Sequence, residues 1–76
     1  MALCYVLIHV ELGSEEKALG EVRKIPQVKE CHRIYGVHDM IAKIEADSPD
    51  AVRKVVTLKI RQMPGVRSTL TTIAIE

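Results

Sequence analysis

Two short segments of this chain repeat one pattern. Ile25-Pro26-Gln27-Val28-Lys29 matches Met63-Pro64-Gly65-Val66-Arg67 in residue type and order. In each, a proline ends an apolar-periodic segment, because the residue before proline is pushed out of helical geometry, and a valine opens an extended one. The chain therefore divides into two strand-helix-strand halves. This constrains the fold more than any other feature, because each half leaves a gap in its sheet that only a strand of the other half fills.

The first half opens with an almost unbroken apolar run from Leu3 to Val10. Eight residues rich in β-branched side chains predict a central strand buried on both faces. Gly13-Ser14 breaks the run, and Ser14 is expected to cap a helix whose first turn carries Glu15 and Glu16. Ala18, Leu19, Val22 and Ile25 recur at spacings of three and four and form one apolar stripe. Val28 to Tyr35 mixes apolar residues with Lys29, Glu30, His32 and Arg33, which predicts an edge strand blunted by charge. In the second half Met40, Ala42, Ile44 and Ala46 alternate with Ile41, Lys43 and Glu45, so one strand face is wholly apolar. Asp47-Ser48-Pro49 then launches a helix that buries Val52, Val55, Val56, Ile60 and Met63. Val66 to Ile75 is rich in Val, Thr and Ile and makes a closing strand.

Joined in order, these elements give an α+β, βαββαβ single domain over residues 1–76. One four-stranded antiparallel sheet is predicted in the order 4-1-3-2, with both helices on one face. Strands one and two are then about 9.5 Å apart across strand three. Cys4 and Cys31 accordingly form no intrachain disulfide, which needs Cα atoms within roughly 7 Å, and are read as small buried hydrophobes.

Two helices cover only one side of such a sheet. Leu3, Tyr5, Leu7, Ile41, Ile73 and Ile75 are assigned to the uncovered side, where they call for a second sheet. A chain this small buries only about 60% of its unfolded surface, yet 47% of its residues are hydrophobic and just two, both Tyr, are aromatic. A face-to-face homodimer is expected, each buried apolar side chain contributing about 1.5–3 kcal/mol. The formal net charge of +1, from 11 basic and 10 acidic residues, gives no field to concentrate nucleic acid or anionic lipid. Met1-Ala2-Leu3-Cys4 is not a basic leader, and the following apolar run is too short to cross a bilayer, so the expected location is cytoplasmic and away from membranes.

Between strands two and three lies Ile34-Tyr35-Gly36-Val37-His38-Asp39-Met40-Ile41, a glycine-containing polar tip between apolar runs. This is a recognition loop: backbone amides around Gly36 can donate to a carboxylate, and Asp39 can accept from an ammonium. The competing reading is that Gly36 and Asp39 only shape the turn. Asp39→Ala is expected to remove ligand binding and spare the fold. His9, His32 and His38 are the candidates for proton transfer if the chain is instead a small dimeric enzyme with a sheet-face cavity. None of the three has a spacing that nominates a partner. His9 is assigned to the inner face of strand one as a packed histidine, and His32 to a solvated edge. Cys31 and His32 point to opposite faces of a strand, which argues against a metal site, and no cofactor motif is present.

Tyr35-Gly36-Val37-His38-Asp39, Met63-Pro64-Gly65-Val66 and Thr69-x-Thr71-x-Ile73 resemble the hairpin, helix-end and last-strand signatures of the Lrp/AsnC family's C-terminal effector domain. The resemblance covers essentially the whole chain in order. It implies a ferredoxin-like domain that dimerises through its sheets, assembles into rings such as an octamer, and binds amino-acid effectors between dimers. Carried over residue by residue, it puts ligand-binding positions at Gly36, Val37, His38, Asp39, Thr69 and Thr71. The family's usual helix-turn-helix has no counterpart here, so the chain is similar to the stand-alone form, a non-enzyme expected to modulate transcription or amino-acid metabolism without touching DNA itself, with DNA-binding relatives as candidate partners.

Overall fold

A computed structural model describes residues 1–75. The chain order is β1 (Ala2–Val10), α1 (Glu15–Arg23), β2 (Val28–Arg33), β3 (Met40–Ala46), α2 (Pro49–Val55) and β4 (Val66–Ile73), with a π-helical turn over Val56–Ile60 extending α2. The strands form one sheet in the order β2-β3-β1-β4, all neighbours antiparallel. This is the predicted ferredoxin-like βαββαβ arrangement, read from the opposite edge.

Alternation along β1 decides where the core sits. Ala2, Cys4, Val6, Ile8 and Val10 are buried, and across the ladders they meet Met40, Ala42 and Ile44 on β3. Both helices press their apolar stripes onto this side: Ala18, Leu19 and Val22 from α1, and Val52, Val55, Val56 and Ile60 from α2 and its π turn. Cys4 and Cys31 are both buried free thiols on strands separated by β3, and burial raises their pKa, holding them in the protonated, unreactive form.

The repeat is visible as one turn used twice. Val28 N–H donates to Ile25 O at 3.0 Å, and Val66 N–H to Met63 O at 3.2 Å. The second turn is tighter against its surroundings. Gly65 has φ +90°, and a Cβ placed there would lie 2.7 Å from both Cβ and Oγ of Ser14. Its carbonyl also accepts from Glu11 N–H at 2.7 Å, fastening the start of β4 to the end of β1.

The helix starts differ from one another. Ser48 caps α2 as predicted, its Oγ accepting from Ala51 N–H at 3.1 Å ahead of Pro49. Ser14 occupies the equivalent position of α1 without a side-chain cap, and Glu15 Oε1 instead accepts from the preceding Gly13 N–H at 2.8 Å, which ties the turn ahead of the helix. Strands β2 and β4 each stop two residues short of their predicted ends, at Arg33 and Ile73.

The assignment of Ile73 and Ile75 to the uncovered face is overturned by a β-bulge. Val10 pairs with Val66, but His9 pairs with Ser68, so Arg67 is an extra residue on β4. Crossing it reverses the parity of the strand. Ile73 lies opposite Cys4 on the helix side, and Ile75, of the same parity, lies past the end of the strand. Leu70 and Thr72, opposite Leu7 and Tyr5, take their place on the uncovered face. The assignments of Leu3, Tyr5, Leu7 and Ile41 to that face agree with the register.

Gly13 and Gly65 have nearly the same φ, +94° and +90°, but only Gly65 is crowded by Ser14. Gly65→Ala is therefore predicted to destabilise the fold by about 1–3 kcal/mol, and by more than Gly13→Ala. Thermal melts of the two variants check this; an equal loss in both would show that the Ser14 contact contributes nothing.

Candidate functional site

The hairpin between β2 and β3 occupies residues 34–39, and Asp39 anchors it. Ile34 N–H donates to Asp39 O at 2.9 Å, closing the loop, while Asp39 N–H donates to Ile8 O at 3.0 Å, fixing it to β1. The last ladder pair between β1 and β3 is Ile8 with Met40, so the buried Val10 has run past the strand that should receive its N–H. Asp39 supplies the missing acceptor: its Oδ2 lies 2.9 Å from Val10 N. A buried amide left without a partner costs about 1–3 kcal/mol. The carboxylate thus has a structural duty in the single chain, and Asp39→Ala is a fold-perturbing substitution rather than a silent one. Asp39→Asn retains an acceptor oxygen and separates the charge from the hydrogen bond.

Oδ2 has a second neighbour. His9 Nδ1 stands 2.8 Å away, screened from solvent, though its N–H is not aligned for a hydrogen bond. His9 has the parity of Leu3, Tyr5 and Leu7, and its side chain is 42% exposed on the uncovered face. The inner-face assignment is corrected by this placement. The backbone hydrogen bond from Val10 holds the Asp39 carboxyl below its ordinary range; desolvation opposes it, and the neighbouring His9 and His38 add smaller lowering effects.

The remaining loop residues face solvent. Tyr35, Gly36 and Val37 are exposed and His38 half-buried, and Gly36 adopts φ +142°, a conformation open to glycine and strained for other residues. Among the described residues, the N–H groups of Tyr35, Gly36, Val37 and His38 make no hydrogen bond within the chain. Four successive free donors flank a carboxylate whose Oδ1 is likewise unengaged. Thr69 and Thr71 sit elsewhere: they pair with Ile8 and Val6 and so take the helix side of β4. Thr71 borders a shallow depression of about 260 Å³ with Cys4, Pro49, Arg53 and Ile73. One chain alone does not gather the loop and the two threonines around a single cavity.

The uncovered face carries a polar corner. Glu30 lies 3.2 Å from His32 Nε2 and 3.7 Å from Lys43 Nζ, and these three with Tyr5 and Ile41 line an open depression of about 220 Å³. Its hydrogen bond with His32 and the charge of Lys43 lower the pKa of Glu30. His32 is thus the solvated residue of an edge strand that the sequence predicts, and it borders this face. The described residues hold no cluster of three or more metal-ligating side chains, and no described helix is long and apolar enough to cross a membrane.

Because the Asp39 carboxyl is depressed in the folded chain, its ionised form favours folding above the ordinary carboxylate pKa, about 3.9, and that contribution disappears as pH falls through the lower folded value. Asp39→Asn is predicted to melt below the parent chain at pH 6, with the gap closing toward pH 2, where both lack the charge. Melting curves across that range test it; a gap independent of pH would remove the charge from the account.

A family model described as the Lrp/AsnC ligand binding domain matches residues 3–76. The proline dehydrogenase transcriptional activator of Rhizobium radiobacter is 37% identical over 67 residues, which is 83% of this chain and 43% of that protein. The leucine-responsive regulatory protein of Salmonella typhimurium is 31% identical over 77 residues, 97% of this chain and 47% of the other. This chain thus spans about half the length of these relatives. Among solved structures, the crystal structure of FFRP-DM1 superposes with a TM-score of 0.93 at 35% identity, covering 99% of this chain and 100% of that one.

Proposed function

The chain belongs to the Lrp/AsnC family through its ligand-binding domain, and we propose that it binds an amino acid or similar small metabolite where subunits meet. Domains of this family bind amino-acid effectors and oligomerise, and relatives of the chain are named as transcriptional regulators. The observation that carries the proposal is the loop itself, in which free amides of Tyr35 to His38 stand beside the Asp39 carboxylate. An α-carboxylate needs clustered donors and an α-ammonium needs an acceptor, and both are presented within one short segment. The relative that is named leucine-responsive supports an amino acid over other zwitterions.

In this reading a second copy covers the uncovered face. Leu3, Tyr5, Leu7, Ile41 and Leu70 supply apolar area, and the corner of Glu30, His32 and Lys43 carries both signs of charge. A two-fold contact can therefore match unlike charges of the two copies. Further assembly, toward a ring such as an octamer, brings Thr69 and Thr71 of one subunit toward the loop of another and completes a site that a single chain leaves divided. The effector acts by favouring one assembly state, to the extent that its affinities for the states differ. The readout is modulation of transcription or amino-acid metabolism, through assembly or through a DNA-binding relative. The balanced charge of these 76 residues assigns no DNA contact to them.

A thermal-shift screen against the twenty amino acids is the test. A ligand at one hundred times its dissociation constant adds about 2.7 kcal/mol to the folded state, so a selective rise in melting temperature is expected. Thr71→Val keeps the shape and strand propensity but deletes the hydroxyl. It is predicted to weaken binding about two- to tenfold, the range of one neutral hydrogen bond, with little change in the ligand-free melt. A flat screen would overturn the amino-acid reading, and unchanged affinity in Thr71→Val would remove that threonine from the site.

A further inference from the structure

His9 stands where two regions of the chain meet. Its ring belongs to the uncovered sheet face, in line with Leu3, Tyr5 and Leu7, while its Nδ1 lies 2.8 Å from the Asp39 carboxylate that anchors the hairpin loop. That nitrogen is shielded from solvent and has no other protein partner. Facing it from the neighbouring strand β4 are Ser68 and Leu70, and from β3 Ile41, none of them charged. The charged group in contact with it is Asp39 on the loop; Glu11 stands two residues further along its own chain, and Arg67 occupies the bulge of β4 opposite His9 and Val10.

We infer that His9 is a positioning residue that couples the uncovered face to the hairpin loop, so that self-association and occupancy of the loop influence one another. This rests on the reading that a second copy covers the face and that the loop takes the ligand. Covering the face removes water from the His9 ring, and a polar ring is costly to bury unless a partner holds it. Asp39, whose Oδ2 lies 2.8 Å from Nδ1, is the group placed to do so. A ligand that engages the Asp39 carboxylate, or shifts the loop that carries it, changes how well His9 is held and hence how readily the sheets pack. Linkage then requires the reverse as well: packing that holds His9 against Asp39 alters the affinity of the loop for its ligand.

The test is a double-mutant cycle on self-association, measured by sedimentation on the full chain without any added ligand. Asp39→Asn keeps an acceptor for Val10 N–H but removes the charge that faces His9. His9→Leu replaces the polar ring with a side chain that needs no partner when covered. With His9 present, Asp39→Asn is expected to weaken association about fivefold or more, and with Leu at position 9 less than about twofold. Circular dichroism of each variant confirms that folded chains are compared. An equal effect of Asp39→Asn in both backgrounds would overturn the coupling, as would a parent chain that stays monomeric throughout. Because the cycle uses no amino acid, its outcome is separate from that of the thermal-shift screen. A flat screen with the expected cycle would leave the coupling standing and discard the amino-acid effector.

Discussion

Strand β1 is paired on both sides and apolar on both faces, and most of the molecule follows from that. Its even-numbered residues are buried beneath the two described helices. Its odd-numbered residues, Leu3, Tyr5, Leu7 and His9, lie on a face that no described element covers. A domain of 76 residues has little core to spare, and leaving such a face in water forgoes about 25 cal/mol for each Å² of apolar surface. The assembly proposed above therefore draws on the central strand rather than on scattered surface residues.

The same strand shapes the proposed site. It extends past the end of β3, so Val10 N–H has no ladder partner, and the Asp39 carboxylate fills the vacancy from the loop. A residue at the hairpin tip is thereby made part of the sheet. The competing sequence readings of Asp39, as ligand contact or as turn former, are not exclusive. One oxygen accepts from Val10 N–H and stands 2.8 Å from His9 Nδ1, the other is unengaged, and the neighbouring amides are free. A site of this kind is pre-organised by the strand it leans on, which reduces the ordering cost of binding.

Much of the fold was legible because local signals agreed with one another. The repeated Pro-x-Val punctuation marked both helix ends, Ser48-Pro49 marked a helix start, and period-two alternation picked out the buried face of β3. What escaped notice depended on geometry that periodicity does not encode. The bulge at Arg67 reverses the faces of β4, and because that strand has apolar residues at both parities, nothing in its pattern signalled the reversal. His9 and Asp39 are thirty positions apart and belong to different halves, so no motif spacing could nominate the pair. It is the register of β1 beside the loop that joins them. The parity of His9 with Leu3, Tyr5 and Leu7 was present in the sequence and would have placed it on the uncovered face. The wide π turn after α2 has no comparable sequence mark; Arg61 N–H simply donates to Val56 O at 2.8 Å.

The hairpin amides report most directly on the proposed binding. Hydrogen exchange, resolved at residues 35–38 and recorded with and without an equimolar mixture of the twenty amino acids, measures whether those donors become engaged. Slower exchange at these positions, beyond any general slowing of the domain, is the predicted result. Exchange there that stays fast while amides elsewhere gain protection would put the ligand at another place and contradict the role given to the loop.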